Sequence, residues 1–109
     1  MKLKEITYPT ENEPYNIELL TQSNAGVKTT FGTVFLKKGI RIPEFGFSRH
    51  PFNEVSIVTK GHIEMIDEND KVIGALKPGF AVFINADEPQ AGNVLEDTEL
   101  IYVLNQLVG

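Results

Sequence analysis

"SRHPFNEVSIVTKG", Ser48 to Gly61, holds His50, one of two histidines in a chain of 109 residues, with Glu54 four positions later. On one straight strand, residues four apart lie about 13 Å from each other, too far to act on a common ligand. Pro51 and Asn53 favour a turn between them, and Pro51 biases His50 toward an extended backbone. The stretch therefore reads as a strand end, a turn and the start of an antiparallel neighbour. That arrangement sets His50 and Glu54 on one face. By the two-residue period of a strand, Ser48 shares the face of His50 and Arg49 points away.

Working outward, the same grammar repeats. Strand-like runs occur at 28–36, 54–59, 62–67, 71–76, 80–84, 90–95 and 98–104, with 2–7 and 16–20 as further edge candidates. Turn formers separate them: Lys60-Gly61, Glu68-Asn69-Asp70, Lys77-Pro78-Gly79 and Asn85 to Pro89. No stretch carries apolar residues at helical spacing without a Gly or Pro breaking it. About eight short strands at this spacing predict an all-β sandwich or barrel. Several are apolar on both faces, so one face is expected to meet a second sheet or a second subunit.

Composition narrows the function. A hydrophobic fraction of 41% and a charged fraction of 23% are those of a globular chain, and the length suits a single domain over 1–109. Residues 1–15, with two prolines and several acidic side chains, read as a loose arm or an edge strand. The net charge is -5 and the ten Lys and Arg residues are scattered, which argues against nucleic acid or an anionic membrane as partner. There is no cysteine, hence no disulfide, no thiolate nucleophile and no sulfur-bound metal. The first residues lack the apolar run of a signal peptide, so the expected location is the cytoplasm.

The residues around His50 resemble the first motif of the cupins: a glycine, a spacer, H-x-H, a few residues, Glu, six residues and Gly. Gly39 stands for the first glycine, Ser48-Arg49-His50 for H-x-H, Glu54 for the glutamate and Gly61 for the last glycine. The second motif, P-G-D-x-x-x-I-P-x-x-x-x-H, resembles Pro78-Gly79 through Ile84-Asn85 to Gln90. The resemblance spans roughly 30–104 and implies a double-stranded β-helix, the antiparallel jelly-roll barrel. It also implies a site at Ser48, His50, Glu54 and Gln90, and it implies a homodimer. Metal-binding members of that family offer three histidines and a glutamate. Here Ser48 and Gln90 replace two of the histidines.

Three readings of the site stay open at this stage. In the first, His50, Glu54 and Gln90 hold a divalent metal (Zn, Fe, Mn, Ni or Cu) weakly, because an amide oxygen is a poorer donor than imidazole; such a site would suit an anionic or polyhydroxylated ligand. In the second, the cluster lines a metal-free pocket for a small molecule, with His50 and Glu54 able to form an acid–base pair. If the protein is an enzyme (an isomerase, epimerase, lyase or dioxygenase-like activity), His50 and Glu54 either ligate metal or handle protons. In the third, the pair is structural, in a sensor or scaffold that works as a dimer. Other candidates are weaker. His62 reads as a partly exposed surface residue, and Asp67 to Asp70 as a hairpin turn without calcium-loop spacing. Ser48 lies nearly 7 Å along the strand from His50, too far for direct activation as a nucleophile. Phe45, Phe47 and Phe52 read as core or pocket lining.

Overall fold

The computed structural model describes residues 1–10 and 15–108, and among them every regular element is a strand. In chain order these are β1 (Asn16–Asn24), β2 (Val27–Leu36), β3 (Arg41–Ile42), β4 (Asn53–Ile66), β5 (Val72–Leu76), β6 (Ala81–Ile84) and β7 (Ala91–Leu107). All pairings are antiparallel, in the order β1-β2-β7-β4-β5, with β3 added to β7 and β6 to β4. The fold is all-β, as the strand-and-turn pattern predicts. No helix of the described residues is long and apolar enough to cross a membrane.

Two strands are much longer than their sequence signals. The runs at 54–59 and 62–67 are one strand, β4, and those at 90–95 and 98–104 are one strand, β7. Each serves two sheets. The first half of β4 pairs with β6 and with the second half of β7, which continues to β2 and β1. The second half of β4 pairs with β5 and with the first half of β7, which continues to β3. Val34, Leu36 and Leu100 from one half meet Ile63, Leu76 and Val94 from the other in a single core.

The passage from one half to the other lies at Gly61 and Thr98. The β4–β7 register slips between Val58 and Ile63, and Gly61 takes a φ of 104°, a left-handed conformation that suits glycine. A Cβ there would fall 2.5 Å from Thr98 Cα and 2.6 Å from the Asp97 carbonyl oxygen, so only glycine lets the two chains touch. Thr98 is fully buried. Its hydroxyl donates to the Glu96 carbonyl at 2.8 Å and accepts the His62 amide at 3.1 Å, supplying the ladder bonds that the irregular register omits.

The turns follow their residues. Ala25 and Gly26 both have positive φ (52° and 79°), the geometry of a two-residue type I′ hairpin between β1 and β2. Pro78-Gly79 makes a type II turn, with the Phe80 amide donating to the Lys77 carbonyl at 2.9 Å. Asp67 accepts the Asn69 and Lys71 amides at 2.8 and 3.0 Å, so the acidic run around it is the hairpin turn between β4 and β5. The 2–7 run forms no strand. Thr7 instead receives the Thr33 hydroxyl on its carbonyl, and Tyr8 shares a hydrogen bond with Thr59, which ties this stretch to β2 and β4. The remainder of the expected arm, 11–14, lies outside the described residues.

Replacing Gly61 by alanine adds a Cβ against backbone in a left-handed conformation, and we expect a loss of about 2–4 kcal/mol in unfolding free energy by urea denaturation. An unchanged midpoint would show that the bend does not need glycine.

Candidate functional site

Between the two halves of the barrel lies a cavity of about 350 Å³. Its depth is apolar, walled by Leu36, Ile63, Leu76 and Leu100, all buried core residues. Its other end is polar. Ser48, His50, Glu54 and Gln90 all line it, together with Ser56 and Tyr102.

His50 and Glu54 both line the cavity but reach it by a route that differs from a simple hairpin, and among the described residues no hydrogen bond or ion pair joins their side chains. Ser48 pairs with Gln90 through two backbone hydrogen bonds of 2.9 Å, and the His50 carbonyl accepts the Asp87 amide at 2.6 Å. The segment before Pro51 therefore runs beside 87–90, not beside β4. Glu54 instead faces Ile84 of β6 and Leu104 of β7. Asn53 clamps the facing loop by accepting the Ala86 amide at 2.8 Å. Ser48 and His50 share the cavity side, while Arg49 is exposed and donates to the Asp87 carbonyl at 2.9 Å. This is the alternation expected of an extended chain.

Each polar side chain has a definite setting. The His50 ring stacks on Phe52, centroids 5.0 Å apart and planes 5° from parallel. The Ser56 hydroxyl donates to Glu54 Oε2 at 2.8 Å. Tyr102 sits opposite Ser56 on one side and Gly32 on the other. Its ring lies where a Cβ of residue 32 would be, so Gly32 opens the space that the phenol fills. Burial raises the Tyr102 hydroxyl above its ordinary value of 10.0, with further increments from Glu18, Tyr15 and Glu54.

Tyr102 and Ser56 are absent from the sequence-derived site, although the pattern contains them. Leu100, Tyr102 and Leu104 share one face of β7, and Ser56 lies two residues beyond Glu54 on β4. A polar residue recurring on an otherwise apolar strand face was the available signal. His62 is half-buried, contributes its amide to the bend, and does not line the cavity. Of the three phenylalanines near the motif, Phe52 lines the cavity, Phe47 packs under the Arg41 guanidinium and Phe45 is exposed.

The donor set does not fit a resident divalent metal. One imidazole, one carboxylate and one amide, from His50, Glu54 and Gln90, are available. Among the described residues no group of three or more His, Cys, Asp or Glu side chains comes together. Resident transition-metal sites commonly use at least three strong nitrogen, sulfur or carboxylate donors.

The raised Tyr102 value has a stability consequence. The folded state holds this proton more tightly than the unfolded chain, so the associated stability is present below pH 10.0 and is lost as pH rises through the folded-state value. Denaturation measured across alkaline pH should show this fall, and Tyr102→Phe should remove part of it. An identical alkaline profile in the variant would contradict the assignment.

Comparison with known proteins bears on the fold. No family model matches the sequence, and no curated protein matches it. Solved structures do. An RmlC-like cupin protein from Desulfovibrio desulfuricans superposes with a TM-score of 0.65 at 13% identity, over 95% of each chain. An RmlC-like cupin family protein with a double-stranded β-helix fold from Methanocaldococcus jannaschii gives 0.64 at 14% identity, over 99% of this chain and 91% of that one. The DMSP lyase DddQ from Ruegeria pomeroyi gives 0.57 at 23% identity, over 72% of this chain; the chain spans only 38% of that enzyme's length. With β4 and β7 each shared between two sheets around a central cavity, the fold of this chain is that of the cupins, a double-stranded β-helix.

Proposed function

We propose that this protein binds a small molecule in the cavity between the two halves of its barrel, without a resident metal. The observation that supports this most directly is the cavity's polarity gradient. An apolar depth ends at a mouth where Ser48, His50, Glu54 and Gln90 converge with Ser56 and Tyr102. Burying an apolar body supplies affinity, and a few placed polar groups orient it. Small barrels of this size hold one such ligand.

Proton transfer is the second reading. Glu54, His50 and Tyr102 line one cavity, so side chains able to take up and give protons face the same space. The raised value of Tyr102 makes that phenol the weaker acid and leaves His50 and Glu54 to carry the transfer. The fold similarity to a lyase is consistent with this reading. The Ser48–Gln90 pair then orients the substrate.

The partner that fits the opposite surface is a second copy of this chain. Phe31, Val103, Val55 and Phe83 lie side by side across β2, β7, β4 and β6, with Ile101 and Ile57 in the next row. Phe83 is 58% and Ile57 43% exposed. This uncharged patch faces away from the cavity. The stretch at Thr7 and Tyr8 covers its edge at the fully buried Thr33, and the part beyond it is open to a two-fold contact, which needs only that such a patch match itself.

A saturating ligand from a panel of small polar–apolar compounds should raise the melting temperature by a few degrees. Ala91→Leu, which fills the cavity from a buried wall position, should abolish that rise; a rise that persists would place binding elsewhere. Light scattering should give a mass near twice 12.2 kDa, falling to one chain in Ile57→Lys. A monomeric parent protein would refute the dimer.

A further inference from the structure

Among the described residues the cavity is lined by one carboxylate, Glu54, and by no Lys or Arg; its other ionisable side chains are His50 and the two phenols Tyr15 and Tyr102. The basic residues nearest in sequence are occupied elsewhere. Arg41 donates to the Pro43 and Gly46 carbonyls, both at 2.8 Å, and lies 3.9 Å from Asp70. Arg49 donates to the Asp87 carbonyl and lies 3.9 Å from Glu68. Among the described residues Glu54 has no ion pair, and its hydrogen-bond partner is the neutral Ser56 hydroxyl.

A half-buried carboxylate in that position remains stable while water fills the cavity mouth. A ligand that displaces the water strips the carboxylate of solvent, and an uncompensated charge is then costly. A negatively charged ligand adds repulsion to that cost. A positively charged one removes it. The rings of Phe52, Tyr102 and Tyr15 also line the cavity, and aromatic faces attract cations, one face of Phe52 being taken by the His50 ring. Burial is the larger cause of the raised Tyr102 value, with Glu18 and Glu54 adding to it; Glu18 lies with Lys28 in the adjoining pocket, which leaves Glu54 as the carboxylate of the cavity itself.

We propose that the ligand is a small organic cation, an amine or quaternary ammonium head on an apolar body. Its charge is answered by Glu54 and the aromatic rings of the mouth, and its body occupies the space before Leu36, Ile63 and Leu100. This inference rests on the small-molecule-binding reading of the cavity. It departs from the anionic ligand that a bound metal would favour, since the positive charge of such a metal is what would have attracted it.

Three probes of matched size separate the two levels of the claim: phenethylammonium, phenethyl alcohol and hydrocinnamate, titrated against the full chain by NMR. The cation should bind about tenfold more tightly than the alcohol, and hydrocinnamate more weakly than either, a tenfold ratio corresponding to about 1.4 kcal/mol. In Glu54→Gln the ratio of cation to alcohol should fall to near one. Hydrocinnamate binding as well as the cation to the unaltered protein would overturn the charge assignment, and so would a ratio unmoved in the variant. Binding of the alcohol without preference for the cation would refute this inference and leave the pocket standing. If none of the three perturbs cavity resonances at millimolar concentration, the pocket reading fails with it.

Discussion

The contact between Gly61 and Thr98 is the constraint on which the rest of the barrel depends. Two strands of 14 and 17 residues are too long to stay in one small flat sheet, and here both change sheet at the same level. Backbone can approach backbone that closely only where one residue lacks a side chain. The Thr98 hydroxyl then satisfies the groups that the slipped register leaves over. Once the strands bend together, their halves must face each other. The apolar alternation on each half closes over a common core, and the polar residues farther along the same faces are carried to its open end.

That geometry explains why the polar cluster sits where it does. Glu54 and Ser56 precede Val58 on one face of β4, while Tyr102 and Leu104 follow Leu100 on the matching face of β7. Moving away from the bend, β4 passes from the buried Val58 to Ser56 and Glu54, and β7 from the buried Leu100 to Tyr102 and then Leu104. His50, Ser48 and Gln90 arrive from a different direction, through the short bridge beside β7. Two independent backbone paths thus meet at one mouth. Recognition chemistry commonly sits on such loops and strand ends because the rigid sheet positions them without their having to support the core.

The absence of a third strong metal donor changes what the mouth can do. In a barrel with a bound cation, the metal dominates the local field and attracts anions. On the metal-free reading proposed above, Glu54, the one carboxylate among the described lining residues, sets the sign of the potential. The backbones of Ser48 and Gln90 form the paired bridge that builds one side of the mouth.

Much of this was legible in the sequence, for local reasons. Alternation, Pro-Gly and Asp-Asn turns, and the lack of any helical period defined an all-β chain, and the two motif fragments around His50 and Gln90 pointed to the barrel. The face shared by Ser48 and His50 followed from strand periodicity alone. What the sequence could not decide is non-local. The continuity of β4 and β7 through their bends depends on a contact between Gly61 and Thr98, residues 37 positions apart. That Tyr102 and Ser56 join the site depends on register between strands, and so does the alignment of Phe31, Val103, Val55 and Phe83 into one outer row. Register is a property of paired chains, set by where a bend and its glycine fall, and only the tertiary structure supplies it.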